Sequence, residues 1–222
     1  MQRAIVGAAM AAVVSSGVAV DAAVAAQSAP PAGWRWVTDK PATTSADGSD
    51  STFVFSTMPP GWHLTMGPGG LLVAPSEPAA GRFALESQLF LFPGTSEEGL
   101  GLFFGGVSVE AGKPWTAFVM RRDGSTAVMR GGTTTTWLRP WSRHDSLPAM
   151  PADGEAHAYK LRVEGETGMV HFKVNGHTVQ SLPRDSAMVD GQFGFRVGRD
   201  LNLHITSLDY IQRLAPPGAR RE

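Results

Sequence analysis

The sequence of 222 residues predicts an all-β fold, an antiparallel sandwich or barrel. Between residues 159 and 210, apolar and polar residues alternate in four runs, the pattern of strands buried on one face. Two strong turn signals, Asp123-Gly124 and Asn175-Gly176, each lie between such runs. After residue 26, no stretch of the sequence keeps helical periodicity for more than a turn or two. Antiparallel strands joined by tight turns account for all three observations.

The N-terminus predicts a secretory signal peptide over residues 1–25. Arg3 gives a positive start, residues 4–20 are small and apolar, and Ala23-Val24-Ala25 is an A-x-A cleavage signal. The apolar run is shorter than the roughly 20 residues of a spanning helix, and Gly and Ser dilute it. We therefore expect a secreted or periplasmic bacterial protein that has no membrane span after signal cleavage.

Composition limits the partners and the source of stability. A formal net charge of -1 and a pI near 6.6 give no electrostatic footprint for nucleic acid or an anionic membrane. Because the chain has no cysteine, an exported form gains no disulfides and depends on its core. The length and a hydrophobic content of 42% suffice for one sizeable core. The sequence carries no signal for an oligomeric state.

Residues 26–50 are rich in Pro, Ala, Ser and Thr, which predicts a linker. Trp34 and Trp36 are its apolar exceptions, and we expect them to dock on the domain rather than to form a binding platform. The β-sandwich is expected over residues 51–212. Residues 213–222 are expected to form a C-terminal tail.

The strands of this domain follow one another at short intervals. Short strands are predicted from Phe53, over residues 62–66 and over residues 71–74, with Pro-Gly turns between them. Residues 82–92 predict a long strand that is apolar on both faces towards its end and therefore lies in the middle of a sheet. A glycine-rich strand over residues 99–109 and a hairpin of residues 115–122 and 125–130 follow.

The Asn175-Gly176 turn predicts the register of the late hairpin. A two-residue turn places Val174 opposite His177, Phe172 opposite Val179 and Val170 opposite Ser181. The same register turns His171, Lys173, Thr178 and Gln180 outward.

Several of these segments resemble those of a known superfamily. The V-N-G hairpin at residues 174–176 and the closing strands DGQFGFRVG and LNLHITSLDY are the most specific. From Phe53 to Ile211 the chain resembles the concanavalin A-like lectins and glucanases, in particular the laminin-G-like and keto-disaccharide hydrolase-like branch. The resemblance implies a two-sheet jelly-roll sandwich whose concave sheet commonly holds carbohydrate. Laminin-G-like relatives commonly hold a structural calcium ion, so the resemblance implies one here, although the sequence does not assign its ligands. We expect no other cofactor.

The sequence offers few candidates for catalysis. Glycoside hydrolysis needs two carboxylates about 5 to 10 Å apart, and the E-x-D-x-x-E motif of laminarinase-type relatives is missing. Glu86 is the only carboxylate in the long central strand, and the pair His144 and Asp145 is the other candidate for acid-base work. The histidines are scattered rather than spaced as metal ligands, although His171 and His204 would approach each other if their strands pair.

The segment TTTTWLRPWSRHD at residues 133–145 says most about binding. Sugar recognition uses an aromatic face and planar polar groups, which this segment supplies together with one neighbouring hairpin. The competing interpretation is a Thr-rich edge strand whose tryptophans cap the core. The candidate ligand-binding residues are Trp115, Trp137, Arg139, Trp141 and Arg143.

Three functions from different classes follow. The first is an exported module that binds carbohydrate or a glycoconjugate without catalysis. The second is a saccharide-degrading hydrolase or lyase, and the third is a structural or interaction domain of the cell envelope. The missing carboxylate motif makes the binding module the preferred interpretation.

Overall fold

The computed structural model describes residues 26–27, 30–39, 53–147 and 155–213. The predicted signal peptide, most of the predicted C-terminal tail and residues 40–52 lie outside this part of the chain. Within it, no helix is long and apolar enough to cross a bilayer.

The described residues form sixteen strands and two 3₁₀ turns, Val109–Ala111 and Arg184–Ser186. The strands are β1 (Ala26–Gln27), β2 (Arg35–Thr38), β3 (Phe53–Thr57), β4 (Trp62–Met66), β5 (Gly70–Val73), β6 (Phe83–Leu91), β7 (Leu100–Gly106), β8 (Trp115–Met120), β9 (Ser125–Gly131), β10 (Thr136–Arg143), β11 (His157–Gly165), β12 (Met169–Val174), β13 (His177–Pro183), β14 (Gln192–Val197), β15 (Asn202–Ile205) and β16 (Asp209–Gln212).

Two antiparallel sheets form a sandwich, which confirms the predicted fold class. The nine-stranded sheet has the order β1-β3-β4-β15-β6-β11-β12-β13, and β16 also pairs with β6. The seven-stranded sheet has the order β10-β9-β8-β7-β14-β5-β2. The long strand β6 lies in the middle of its sheet, as its two apolar faces predicted, and pairs with β11, β15 and β16.

The core lies between the inner faces of the two sheets. Alternate residues of each strand point into it, as the period-two runs predicted. Phe118 of β8 meets Phe172 of β12 across the sandwich, with 5.2 Å between ring centroids. Phe104 of β7 also contacts Phe172, at 6.2 Å. These aromatic pairs join the sheets without a disulfide.

The hairpin of β12 and β13 has the predicted turn but not the predicted register. Asn175 and Gly176 both have positive φ, 50° and 85°, and Val174 pairs with His177. Beyond the turn the register shifts, so that Phe172 pairs with Gln180. The expected pairings of Phe172 with Val179 and of Val170 with Ser181 are therefore wrong, because a bulge adds one residue to β13 and Val170 pairs with Leu182.

This bulge turns Gln180 inward, opposite to the prediction. Its Nε2 donates hydrogen bonds to the carbonyl oxygen of Thr126 at 2.9 Å and to the Thr126 hydroxyl at 3.0 Å. Since Thr126 lies on β9 and Gln180 on β13, the bulge closes one end of the sandwich with a polar contact.

Part of the predicted linker belongs to the sandwich. Residues 35–38 form β2, which pairs with β5 along its whole length at the edge of the seven-stranded sheet. Trp34 docks as expected, with its ring centroid 5.1 Å from that of Trp62 and 5.8 Å from that of Phe195. A strand of four residues in a Pro-rich context is too short to show periodicity, which explains the difference.

Candidate functional site

The seven-stranded sheet carries a second apolar cluster on its outer face, the face turned away from the core. Because side chains alternate along a strand, the residues of β8 and β9 that do not enter the core lie on this face. The chain itself buries these residues, and Val37 and Trp141 are among the side chains packed against them. The cluster consists of Leu71, Val73, Phe103, Val109, Trp115, Ala117, Val119, Ala127 and Met129.

A cleft of about 480 Å³ opens on this outer face. Its lining includes Leu71, Trp115 and Met129 of the apolar cluster, and the three threonines at 133–135 follow the end of β9. Arg196 and Asp39 lie on a polar side of the cleft. The volume falls in the range of about 300 to 1,000 Å³ that is usual for small-molecule sites.

The indole ring of Trp115 occupies the space left by the glycine opposite it. Trp115 pairs with Gly131 of β9, and a Cβ at Gly131 would lie 2.1 Å from the indole ring. The edge of the ring also meets Phe103 at a centroid distance of 6.3 Å. The indole therefore lies across the sheet at the bottom of the cleft, with 6% of the residue exposed.

An arginine and an aspartate form the polar side of the cleft. Arg196 of β14 donates to both carboxylate oxygens of Asp39, at 2.8 and 2.7 Å, and to the carbonyl oxygen of Gly70 at 3.0 Å. Its guanidinium carbon lies 6.0 Å from the centroid of the Trp115 ring. A bidentate pair has fixed geometry, so planar polar groups are held next to an aromatic ring.

A second ion pair lies at the same cleft. Glu110, which follows the start of the first 3₁₀ turn, contacts the guanidinium of Arg35 on β2. Each of the two cleft carboxylates is thus engaged by an arginine.

The edge strand β10 places Trp137 beside the cleft. Trp137 pairs with Met129, which lines the cleft, and 45% of the tryptophan is exposed. Trp141 lies 5.5 Å from Trp137 between ring centroids. Trp141 is more covered, because its ring approaches Gly99 and the Arg121 guanidinium stacks over it at 3.9 Å.

The other two predicted ligand-binding residues, Arg139 and Arg143, do not lie at the cleft. Arg139 reaches the carbonyl oxygen of Ser181 on β13 at 3.5 Å, and Arg143 contacts Asp123 at 3.5 Å. Residues 137, 139, 141 and 143 would share one face of a regular strand, but β10 has irregular register after Trp137 and again after Arg139.

The structure separates the catalytic candidates. Glu86 lies on the outer face of the nine-stranded sheet, where its oxygens contact Lys160 at 2.7 Å and Arg162 at 2.8 Å. Burial raises its pKa, but these two cations outweigh burial and hold the pKa below its ordinary value. His144 and Asp145 lie in the turn after β10 of the other sheet, so neither is brought to Glu86.

His144 is engaged locally, since its Nδ1 accepts a hydrogen bond from the backbone N–H of Ser146 at 3.2 Å. Asp145 is exposed. The turn gives neither residue a second acid or base among the contacts of the described chain.

The predicted approach of His171 and His204 is not observed. His204 of β15 pairs instead with His63 of β4, and β6 and β11 separate β15 from β12. Burial and the neighbouring His204 lower the pKa of His63. Among the described residues, no three His, Asp or Glu side chains form a group that could hold a metal ion.

The sequence analysis missed Arg196 and Asp39. Arg196 had a usable signal, because it is the one charged residue in the apolar strand FGFRV, on the side opposite the core phenylalanines. Asp39 had none, since it lies in the segment predicted as a linker.

Neither a protein-family model nor a curated protein sequence matches the chain. Among solved structures, a carbohydrate-binding module from Bacillus subtilis, CBM66, is similar with a TM-score of 0.58 and 14% identity, over 81% of this chain and 96% of that one. A Bacillus subtilis protein of unknown function with a galectin-like fold gives 0.52 and 15%, over 81% and 89%. A functionally unknown protein from Saccharomyces cerevisiae gives 0.52 and 13%, over 82% and 98%.

These likenesses show the fold, a lectin-like jelly-roll sandwich. At such identities they assign no residue a role, and they do not distinguish the concanavalin A-like branch from other branches.

Proposed function

We propose that this chain is a carbohydrate-binding module that holds its ligand on the outer face of the seven-stranded sheet. The observation that carries the proposal is the cleft, where Trp115 lies beside the Arg196–Asp39 pair and Trp137 is exposed at the margin. The exposed ring of Trp137 suits the C–H face of a pyranose, the planar groups of Arg196 and Asp39 suit its hydroxyls, and the buried Trp115 forms the apolar floor. The similarity to a Bacillus subtilis carbohydrate-binding module supports this reading of the fold.

Binding proceeds without cleavage in this proposal. The two carboxylates at the cleft, Asp39 and Glu110, are each engaged by an arginine, which favours positioning over proton transfer. Glu86 lies on the other sheet and is itself ion-paired. No observation of comparable weight among the described residues supports a hydrolase or lyase, or a structural domain.

The proposal includes export. We infer that residues 1–25 are removed and that the mature protein is secreted or periplasmic. We also propose that the chain is related to the laminin-G-like branch and binds a structural calcium ion. The A-x-A signal supports the cleavage site. The intact mass of the protein recovered from a bacterial periplasm or medium tests it, because retention of the leader would contradict export.

A glycan-array screen tests the function. A protein comprising residues 26–222 is applied with and without added calcium, and every bound glycan is recovered and its mass measured by mass spectrometry. We expect binding with the glycan mass unchanged, and a calcium requirement would support the structural ion. Failure to bind any glycan contradicts the proposal, and recovery of shortened glycans replaces the binding module with an enzyme.

A further inference from the structure

Arg121 directly follows β8 and continues its row of outer-face residues. Its guanidinium carbon lies over Trp141, 3.9 Å from the ring centroid, and its Nε is buried without a hydrogen-bond partner. Within the described part of the chain, no carboxylate lies within ion-pair distance of it. An arginine that is ordered but not neutralised is a ready site for an anion.

The surroundings of Arg121 leave room for a ligand. A cavity of about 300 Å³ opens there, lined by Arg121, by Arg122, which donates to the carbonyl oxygen of Phe92, and by the loop of residues 94–97. Two carboxylates share the lining. Asp123 is already occupied, accepting hydrogen bonds from the backbone N–H of Ser125 at 2.9 Å and from its hydroxyl at 2.5 Å, whereas Glu97 lies exposed on the loop.

Arg121 is also in line with the cleft. It lies six positions after Trp115, which is about 20 Å of extended chain at roughly 3.3 Å per residue. Trp137 and Trp141 lie between the two ends on the same face of the sheet. A chain of sugar units that fills the cleft and crosses Trp137 would thus arrive at the Arg121 cavity.

We propose that the ligand is an acidic saccharide, with a carboxylate or sulfate group bound by the Arg121 guanidinium. This inference rests on the proposed function and names its ligand class. The guanidinium presents two parallel N–H donors that match both anions. Stacking on Trp141 fixes the orientation of these donors before binding, which lowers the entropy lost when the anion is bound.

The test compares matched glycans and matched variants. The array displays neutral, uronate-bearing, sialylated and sulfated glycans, so its arms separate carboxylate from sulfate recognition. We expect acidic glycans to bind. We expect Arg121→Gln to lower the affinity for them at least tenfold in a calorimetric titration. For a uronate ligand, the form with its carboxyls reduced to alcohols should bind wild type and Arg121→Gln equally.

Two further variants provide controls. Arg130→Gln removes the same charge from the neighbouring strand, where the side chain reaches the carbonyl oxygen of Ser186 instead of the outer face, so binding should not change. Arg121→Lys keeps the charge but loses the two-donor fork, so binding should weaken several-fold even if Arg121→Gln fails to fold cooperatively.

The outcomes separate this inference from the proposed function. Binding of neutral glycans alone overturns the acidic ligand class and leaves the binding module standing. Equal affinity of wild type, Arg121→Gln and Arg121→Lys for an acidic glycan also overturns it. Absence of binding to every glycan contradicts both the acidic ligand class and the proposed carbohydrate-binding function.

Discussion

Trp137 and Trp141 show how two residues of one type, four positions apart, acquire different roles. Trp137 is 45% exposed beside the cleft, whereas Trp141 lies between Gly99 and the Arg121 guanidinium. Sequence analysis identified both as candidates but could not separate them. Periodicity assumes a regular strand, and the irregular register of β10 decides which side chains stay on the outer face.

The two tryptophans should therefore respond differently to truncation. We expect Trp137→Ala to weaken glycan binding about tenfold or more, roughly 1.4 kcal/mol, with the free energy of unfolding changed by less than about 0.5 kcal/mol. Trp141→Ala should instead destabilise the fold by about 2 kcal/mol or more, because it removes a ring packed on the outer cluster. Chemical denaturation and titration of both variants check this; a destabilised Trp137→Ala with normal binding would contradict the assignment.

At the scale of the elements, the sequence predicted most where a turn or a long alternation constrains the chain. The Asp123-Gly124 and Asn175-Gly176 hairpins and the central strand β6 were all expected. The edge strand β2 and the bulge in β13 were missed. A strand of four residues forms because a neighbouring strand is available to pair with it, and its own sequence is too short to show a period. A bulge forms because side chains must pack across the sandwich, so local periodicity does not reveal it either.

Strands β11 and β12 are also joined by an ionic network on the outer face of the nine-stranded sheet. Glu164 contacts Arg162 at 2.7 Å, Lys173 at 2.7 Å and Arg213 at 3.1 Å, and only 12% of its side chain is exposed. Burial raises the pKa of Glu164, but Lys173 and Arg162 outweigh burial and lower the pKa from 4.5 to about 2.

This network predicts acid sensitivity. Because the folded pKa is depressed, the stabilisation is complete above the unfolded value of 4.5 and is lost as pH falls towards about 2. The contribution is on the order of 3 kcal/mol. Glu164→Gln should lower the free energy of unfolding at pH 7 and reduce its fall between pH 5 and pH 3, measured by urea denaturation.

The control is Glu77→Gln, which alters an exposed glutamate with no ion pair among the described contacts. Its pH profile should match wild type. A Glu164→Gln profile parallel to that of wild type would show that the network adds nothing to acid stability.

At the scale of the whole molecule, the two sheets share one core but differ on their outer faces. The nine-stranded sheet carries ion-paired side chains such as Glu86 and Glu164 together with a mostly apolar cleft of about 410 Å³ beside Phe90. The seven-stranded sheet carries a buried apolar cluster and the cleft in which an arginine–aspartate pair lies beside Trp115. The sandwich was predictable from strand alternation and tight turns. The site was predictable only in its aromatic residues, because its polar side joins residues 157 positions apart in the chain, Asp39 and Arg196.

The central claim is that the ligand occupies the cleft on the outer face of the seven-stranded sheet. Thr134 is exposed and lines this cleft, so Thr134→Trp would fill it without altering the core. Thr178→Trp makes the same change at an exposed position of β13 on the other sheet. The decisive measurement is calorimetric titration of both variants with the glycan that binds most tightly on the array. We expect Thr134→Trp to lose at least about tenfold in affinity and Thr178→Trp to match wild type; unchanged affinity in Thr134→Trp would contradict the claim.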